Sequence, residues 1–332
     1  MLRVTALTSG RNHPSSRFRV RQFIRPLESC GIEVREYYPV VDKYATKRVP
    51  LLGALIRIPG IRDSRTTAVA WLERELVPER FTLERYAGTR RLLDIDDAIW
   101  LNKSKFSERI AASCHGVIAG NDFIATHYKD HGARVWTIPT SIDSEKWRPA
   151  RSKRDSKWTV GWTGSSSNLK YLYLIEKSLA AFLRGRPDVR LLIVCDKRPV
   201  FKSITAEHWV FARWSPENEV RLLQMMDVGL MPLADTEWSR GKCALKMIMY
   251  MAVGIPSIVS PVGVGKQLVE QNEVGIAAET ESEWYDVLNH LHLEQDVASR
   301  LGAQGRKLVE DQFSVKENVL KLAAIFRTIA SE

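Results

Sequence analysis

The chain has 332 residues, of which 45% are hydrophobic and 27% are charged. These proportions are typical of a soluble globular protein, so they exclude collagen-like, mucin-like and disordered chains, and the length predicts about two domains. The net charge of +10 is uneven, because residues 1–150 contain 25 Lys and Arg against 17 Asp and Glu. A basic first half favours an anionic partner, such as nucleic acid, an acidic membrane surface or a phosphorylated substrate; the alternative is an ordinary basic surface.

Cysteine and histidine usage predicts neither disulfides nor a metal site. The four cysteines lie far apart and form no pair at zinc-binding spacing, which favours reduced thiols in the cytoplasm. The seven histidines suggest no ligand set, so we expect no metal. The N-terminal residues include no long apolar run, and no stretch approaches the roughly 18–20 apolar residues of a spanning helix. We therefore expect a cytoplasmic protein without a signal peptide.

The first half alternates short apolar strands with helical or polar segments. A strand over residues 3–8 precedes a helix over 16–29 and a strand over 32–38. This order favours a parallel sheet covered by helices. Three later apolar runs predict further strands, at residues 91–95, 116–119 and 135–138.

The same order of elements begins again after a charged linker at residues 149–155. A strand over 158–163 leads into a helix over 168–184, and an amphipathic tail helix covers 314–329. Strands are also predicted at residues 189–195, 228–231 and 257–260. The predicted architecture is two doubly wound α/β domains, residues 1–150 and 151–313, with a tail at 314–332 and a ligand cleft between the domains.

A small-residue loop, Gly164-Ser165-Ser166, joins the first strand of the second half to its helix. Small residues let backbone N–H groups approach an anion at the positive end of a helix. The loop fits neither the dinucleotide fingerprint nor the P-loop pattern. The alternatives are a phosphate site and an ordinary strand-to-helix turn.

Three cations lie within seven residues at Arg240, Lys242 and Lys246, after a polar turn over 235–239 and at the predicted start of an apolar helix. Cations are unfavourable at a helix N-terminus, so a bound polyanion would remove the conflict with the helix dipole. We therefore prefer a phosphate site here; the alternative is a solvated basic turn.

Polar residues of the first half follow its predicted strands and helix start. Asp96 and Asp97 end a strand, where carboxylates orient sugar hydroxyls, hold a metal, act as a base, or cap the next segment. The other candidates are predicted to meet an anion or acceptor: Ser16, Arg17, Arg19 and Asn121.

An apolar segment flanked by cations covers residues 47–58. It is too short to span a bilayer. It fits either a membrane-surface contact for a lipid-linked acceptor or a buried helix or loop between strands.

Several segments together resemble the retaining GT-B glycosyltransferases of family 4, the glycosyl transferases group 1. Most of the likeness lies between Asp227 and Gly275, above all in the run GKCALKMIMYMAVGIP over 241–256. In the first half, the runs DIDDAIW and PTSID and the pair Gly120-Asn121 resemble a branch of the same family. The resemblance implies two Rossmann-like domains with a C-terminal helix that crosses back to the first.

The resemblance implies transfer of a sugar from a nucleotide-diphospho-sugar to an acceptor hydroxyl, with retention and without a metal, in glycan, polysaccharide or glycolipid biosynthesis. Lys246 would stabilise the leaving diphosphate, and Asp96 or Asp97 would orient the sugar or acceptor. The family's two donor-site glutamates fall on Gly241 and Met249 here. The residues assigned to the donor are Gly164, Ser165, Ser166, Arg240, Lys242, Cys243, Ala244, Leu245 and Met249.

The alternatives are a nucleotide-sugar-binding protein without transferase activity and a nucleotide-sugar epimerase or hydrolase on the same fold. Expected partners are the donor, a glycan, lipid-linked or small-molecule acceptor, and the inner membrane face through the basic first half. No interleaved basic and aromatic motif supports nucleic-acid binding.

Overall fold

A computed structural model describes residues 1–41, 43–102, 105–150 and 157–332. The chain divides into two compact units. Unit 1 contains Met1–Ser141, Gly241–Cys243 and Phe313–Glu332, and unit 2 contains Ile142–Arg240 and Ala244–Gln312. Of the predicted linker at 149–155, residues 151–155 lie outside the described residues.

Each unit is built on a parallel six-stranded sheet. The strands are β1 (Leu2–Leu7), β2 (Ile32–Tyr37), β3 (Val69–Glu73), β4 (Arg91–Ile95), β5 (Gly116–Ala119), β6 (Val135–Thr137), β7 (Trp158–Thr163), β8 (Val189–Cys195), β9 (Trp209–Arg213), β10 (Val228–Met231), β11 (Ser257–Val259) and β12 (Gly275–Ala277). The order is β2-β1-β3-β4-β5-β6 in unit 1 and β12-β11-β10-β7-β8-β9 in unit 2.

Helices connect the strands. They are α1 (Ile24–Ser29), α2 (Pro50–Leu55), α3 (Ile58–Ser64), α4 (Phe106–Ala112), α5 (Asp122–Asp130), α6 (Leu169–Leu172), α7 (Glu176–Leu183), α8 (Glu219–Leu223), α9 (Glu237–Arg240), α10 (Leu245–Ala252), α11 (Gly263–Asn272), α12 (Glu281–Leu293), α13 (Gln295–Leu308) and α14 (Val315–Ser331). None of the helices in the described ranges is long and apolar enough to cross a membrane.

The long helices predicted at 16–29 and 168–184 are segmented. The first consists of a π-helical turn at Ser16–Val20, a 3₁₀ turn at Arg21–Phe23 and α1. The second is likewise divided by a 3₁₀ turn between α6 and α7. Both stretches remain helical throughout, so the apolar periodicity predicted the conformation but not the changes in helical pitch.

The sheet of unit 1 has a core on each face. Successive residues of β3 point to opposite faces, so Trp71 packs with α1 and α14, whereas Leu72 packs with α3, α4 and α5. The Trp71 and Phe326 rings meet edge to face at 5.1 Å between centroids. The last helix of the chain is therefore part of the core of unit 1.

The core of unit 2 is formed by the same layering. Buried strand residues such as Val160 and Leu191 pack against α7 and α12 on one face. On the other face the ring of Tyr250, in α10, lies against Gly229 of β10. The layers place the ends of β7 and β10 next to each other at the carboxyl edge of the sheet.

Candidate functional site

The sheet of unit 2 reverses its strand order between β7 and β10. The chain runs outward from β7 through β8 to β9 on one side, and from β10 through β11 to β12 on the other. Loops that leave such a point in opposite directions open a crevice at the carboxyl ends of the strands, where ligands of doubly wound folds bind. The predicted Gly164-Ser165-Ser166 loop follows β7 and lies at this point.

Helix α10 is held against the same two strands. The Tyr250 hydroxyl accepts a hydrogen bond from the Thr163 N–H (3.1 Å) and donates to the Leu230 carbonyl (3.3 Å). A Cβ at position 229 would lie 2.3 Å from the Tyr250 ring, so the close approach of α10 to β10 needs glycine there. These contacts place the N-terminal turn of α10 beside the β7 loop.

Lys246 and Gly164, both predicted from the sequence, lie side by side. The Lys246 Nζ is 4.7 Å from the centroid of the Trp162 ring, a cation–π distance. A Cβ on Gly164 would lie 2.9 Å from that ring and 3.1 Å from the Lys246 Cε. The missing side chain at Gly164 therefore gives the lysine its space.

Ser165 and Ser166 are both hydrogen-bonded to neighbouring side chains. The N–H and hydroxyl of Ser166 donate to the two Asp196 carboxylate oxygens at 2.6 and 2.8 Å, and the Ser165 hydroxyl is 2.9 Å from that of Ser167. Burial raises the pKa of Asp196, but the Ser166 donors outweigh it and hold that pKa below its usual range. An ionised carboxylate therefore occupies the Ser166 donors that the sequence analysis assigned to a phosphate.

The apolar helix begins later than predicted. The predicted turn at 235–239 contains the start of α9, and Arg240 ends that helix with its guanidinium paired to Asp235 at 2.8 Å. Ala244 then adopts a left-handed backbone (φ 51°), and α10 begins at Leu245. The Ile248 N–H donates to the Ala244 carbonyl in the first hydrogen bond of α10. The three N–H groups at 245–247 come before that bond, in the first turn of the helix.

Lys242 and Cys243 belong to unit 1, whereas Arg240 and Lys246 belong to unit 2. Asn121 caps α5 and donates from Nδ2 to the Gly241 carbonyl (3.0 Å) and to the Cys243 Sγ (3.3 Å). Burial raises the pKa of the Cys243 thiol, which suits packing rather than nucleophilic chemistry. Asn121, predicted to meet an acceptor, thus holds the 241–243 segment in unit 1.

The remaining predicted donor residues lie at α10. Met249 is buried within the helix, so its thioether occupies the position at which the resemblance places a glutamate. Ala244 is also buried, and Leu245 is half-buried.

At the carboxyl edge of unit 1, the first carboxylate of the DIDD run is structural. Asp94 accepts from the Arg19 Nε at 2.7 Å and from the Trp71 Nε1 at 3.1 Å, and all three side chains are buried. Burial raises the pKa of Asp94 to about 6, against the opposing effect of Arg19. Arg19, predicted to meet a phosphate, therefore has its charge matched inside the unit.

Asp96 and Asp97 lie at this edge around Arg74. The Arg74 guanidinium is 3.2 Å from the Asp97 Oδ2 and 3.9 Å from the Asp96 Oδ1. Burial raises the pKa of both carboxyls, but Arg74 and Ser15 bring the pKa of Asp96 below its usual range. Burial and the charge of Asp96 leave the pKa of Asp97 raised, although Arg74 and Lys242 oppose the shift.

A buried polar network that the sequence analysis missed surrounds these carboxylates. Glu73 accepts from the Ser9 amide and the Ser16 hydroxyl, each at 2.6 Å, and Lys43 pairs with Glu75 at 3.1 Å. The strand β3 was not predicted. Its apolar run, followed by Glu-Arg-Glu, was the signal in the sequence that could have revealed the network. The predicted anion ligand Ser16 is therefore bonded to Glu73.

Arg17 lies against an aromatic ring. Its guanidinium is 5.0 Å from the centroid of the Phe18 ring, and its side chain is half-buried. Its predicted role toward an anion stays a prediction.

Residues 157–293 match the family model for glycosyl transferases group 1. The matched segment covers β7 to α12, including the β7 loop, α10 and Lys246. No curated protein matches the chain in sequence.

Solved structures resemble the chain over its whole length. HepE of Anabaena, in complex with UDP and glucose, has a TM-score of 0.74 at 14% identity and covers 99% of this chain and 100% of its own. Sucrose-phosphate synthase from Thermosynechococcus elongatus has a TM-score of 0.76 at 12% identity and full coverage of both chains. A glycosyltransferase from Rickettsia africae has a TM-score of 0.67 at 11% identity and covers 99% of this chain and 98% of its own. At such identities the likeness shows the fold, which is GT-B.

Proposed function

We propose that this protein transfers a sugar from a nucleotide-diphospho-sugar to an acceptor hydroxyl, with unit 2 binding the donor. The observation that carries the proposal is Lys246 beside Gly164 at the strand-order reversal of unit 2. The match of residues 157–293 to glycosyl transferases group 1 supports it. HepE, which has this fold, has also been solved with UDP-glucose.

The proposed chemistry depends on the charge that develops on the leaving group. As the bond between sugar and diphosphate breaks, negative charge grows on the phosphate and the sugar becomes oxocarbenium-like. The ammonium of Lys246 and the amides at 245–247 would stabilise that charge because they are already oriented before the reaction. We propose that these donors serve in place of a metal ion, and that the configuration at the transferred carbon is retained.

The Ser166 donors have a smaller part in this proposal than the sequence analysis gave them. They are bonded to the ionised carboxylate of Asp196, which would repel a phosphate at the same place. The donor contacts are therefore assigned to Lys246 and the start of α10, with Gly164 providing the space.

The test replaces Lys246 with Ala and compares it with Lys177→Ala, a lysine of unit 2 with a 76% exposed side chain. We expect the first change to lower turnover about 100- to 1,000-fold, the usual cost of losing one such donor, and the second to leave it unchanged. Calorimetry with a panel of nucleotide sugars identifies the donor, and a product assay with and without acceptor measures turnover.

The assay also separates the alternatives. Donor binding without turnover in the wild type would support a binding protein, and donor consumption without acceptor would support an epimerase or hydrolase. Equal turnover in Lys246→Ala and Lys177→Ala would contradict the role of Lys246.

We further propose a lipid-linked acceptor and peripheral contact with the inner membrane face, in glycan or glycolipid biosynthesis. The support is α2 in unit 1, whose Leu51, Leu52 and Leu55 are 74%, 46% and 51% exposed, beside the exposed cations Lys47 and Arg48. Apolar side chains next to cations suit an anionic lipid surface. Arg57, a third cation of the predicted segment, is instead buried and donates to the Thr8 carbonyl.

Sedimentation with vesicles tests the membrane contact. We expect binding to vesicles that contain anionic lipid, and at least a fivefold loss of bound protein in Leu51→Glu because a charge replaces an inserted side chain. Leu320→Glu, at an exposed leucine of α14, is the matched control. Equal binding by both variants would contradict the assignment of α2.

A further inference from the structure

Three side chains of unit 1 that take no part in the proposed transfer form a compact cluster. Glu108 lies in α4, His127 in α5, and His131 directly follows α5. One ligand atom from each lies within 4.8 Å of the others. The expectation of no metal site overlooked the His-x-x-x-His spacing, which places two imidazoles on one face of a helix.

One pair of donor atoms has the separation expected of two metal ligands. The His127 Nε2 is 3.3 Å from the Glu108 Oε1, close to the roughly 3.3 Å that separates two ligands about 2.0 Å from a tetrahedral ion. In the part of the chain that the structure describes, this buried Nε2 makes no hydrogen bond. Nε2 instead faces the Glu108 carboxylate, and a cation between the two groups would be bound by both.

The surroundings hold both imidazoles in place. The Trp100 ring stacks on His127 with 3.9 Å between centroids and 5° between planes. The His131 Nδ1 is 2.7 Å from the His127 carbonyl, so a proton on Nδ1 is donated there and the lone pair remains on Nε2. Zinc-binding histidines commonly use one nitrogen for the metal and the other for such a hydrogen bond.

We propose that Glu108, His127 and His131 bind one divalent transition-metal ion, with Zn²⁺ as the expected ion. Two imidazoles and a carboxylate form a known zinc ligand set, and the exposure of His131 leaves a fourth position to water. The ion would link α4 to the end of α5 and stabilise unit 1. The site is independent of the proposed sugar transfer.

The experiment titrates the chelator-treated 332-residue chain with Zn²⁺ by calorimetry and repeats the titration with Co²⁺ while recording the visible absorption spectrum. The variants are His131→Ala and Glu108→Gln, and the control is His290→Ala, an exposed histidine in the last turn of α12. Thermal unfolding with and without Zn²⁺ gives a second readout that does not depend on activity.

We expect one Zn²⁺ per chain, a Co²⁺ spectrum typical of tetrahedral coordination, and a higher unfolding midpoint with Zn²⁺. His131→Ala and Glu108→Gln should each weaken binding at least tenfold, and His290→Ala should leave it unchanged. Absence of stoichiometric binding in the wild type would overturn the proposal. So would equal binding by His131→Ala and His290→Ala.

Discussion

Arg74 shows how a single residue organises the edge of unit 1. Its backbone is left-handed (φ 61°), which costs a residue with a side chain about 1–2 kcal/mol. Its N–H bonds the Asp94 carbonyl at 3.0 Å, and its guanidinium reaches Asp97. The conformation thus directs one cation onto two neighbouring carboxylates whose pKa values shift in opposite directions.

Asp97 is the carboxylate that we expect to orient an acceptor hydroxyl, because its side chain is 24% exposed and that of Asp96 is 15% exposed. Asp97→Asn should raise the KM for the acceptor at least tenfold and leave donor binding unchanged, because a charged acceptor of hydrogen bonds is lost. Steady-state kinetics and donor calorimetry measure the two effects. Asp122→Asn, at an exposed carboxylate of unit 1, is the control.

The raised pKa of Asp97 also predicts a dependence on pH. The ionised carboxylate accepts a hydrogen bond from a hydroxyl more strongly than the protonated carboxyl does, so the acceptor KM should rise as the pH falls through the pKa of Asp97. In Asp97→Asn this acidic dependence should disappear. An acidic limb that persists unchanged in the variant would assign the dependence to another group.

At the scale of elements, the β7 loop and α10 are packed together and position each other. Tyr250 joins α10 to both strands at the reversal, and Gly164 leaves room for Trp162 and Lys246. The first turn of α10 is therefore positioned by packing behind it. The helix dipole alone would disfavour Lys246 there, and the proposed donor phosphate would remove that cost.

Gly164→Ala tests this coupling. The added methyl group would lie 2.9 Å from the Trp162 ring, so we expect a loss of about 1–3 kcal/mol in the free energy of unfolding and weaker donor binding through displacement of Lys246. Denaturant unfolding and calorimetry measure the two. At Gly10 the nearest atom to an added Cβ is 4.0 Å away, so Gly10→Ala is the control. Unchanged donor binding in a Gly164→Ala protein would show that the loop and Lys246 are not coupled.

At the scale of the whole molecule, the first and last parts of the chain complete one unit. Phe326 is fully buried against Trp71, and the Asn318 side chain donates to the Ser141 hydroxyl at 3.1 Å. The core of unit 1 therefore includes α14. Unit 2 has its own core and does not need α14 for it.

Phe326→Ala should destabilise unit 1 by about 3–5 kcal/mol, because it removes a buried ring from its core. Leu320→Ala, at a residue of the same helix that is 65% exposed, should change the free energy of unfolding by less than about 0.5 kcal/mol. Denaturant unfolding followed by hydrogen exchange shows which unit opens. Loss of protection in unit 2 before unit 1 would contradict this assignment.

How much of the fold was predictable depended on local burial. Apolar runs that are buried on both faces were predicted at the residues where the strands lie, namely 91–95, 116–119, 158–163, 189–195 and 228–231. The strands β9 and β12 were missed, since each lies at a sheet edge and is only partly buried. The strand β3 was also missed although it is fully buried, and with it the Glu-Arg-Glu run that forms the network of unit 1.

The sequence alone predicted a parallel sheet in each half, though without β3, β9 and β12, the glycine loop after β7 and the candidates Lys246, Asp96 and Asp97, because these depend on residues close together in the chain. Only the tertiary structure decided which polar groups are already paired. Arg19 meets Asp94, and Ser166 meets Asp196, each across a separation in sequence that no local pattern records. The net charge of the first half likewise says nothing about pairing, because strand order determines which charges become neighbours inside the protein.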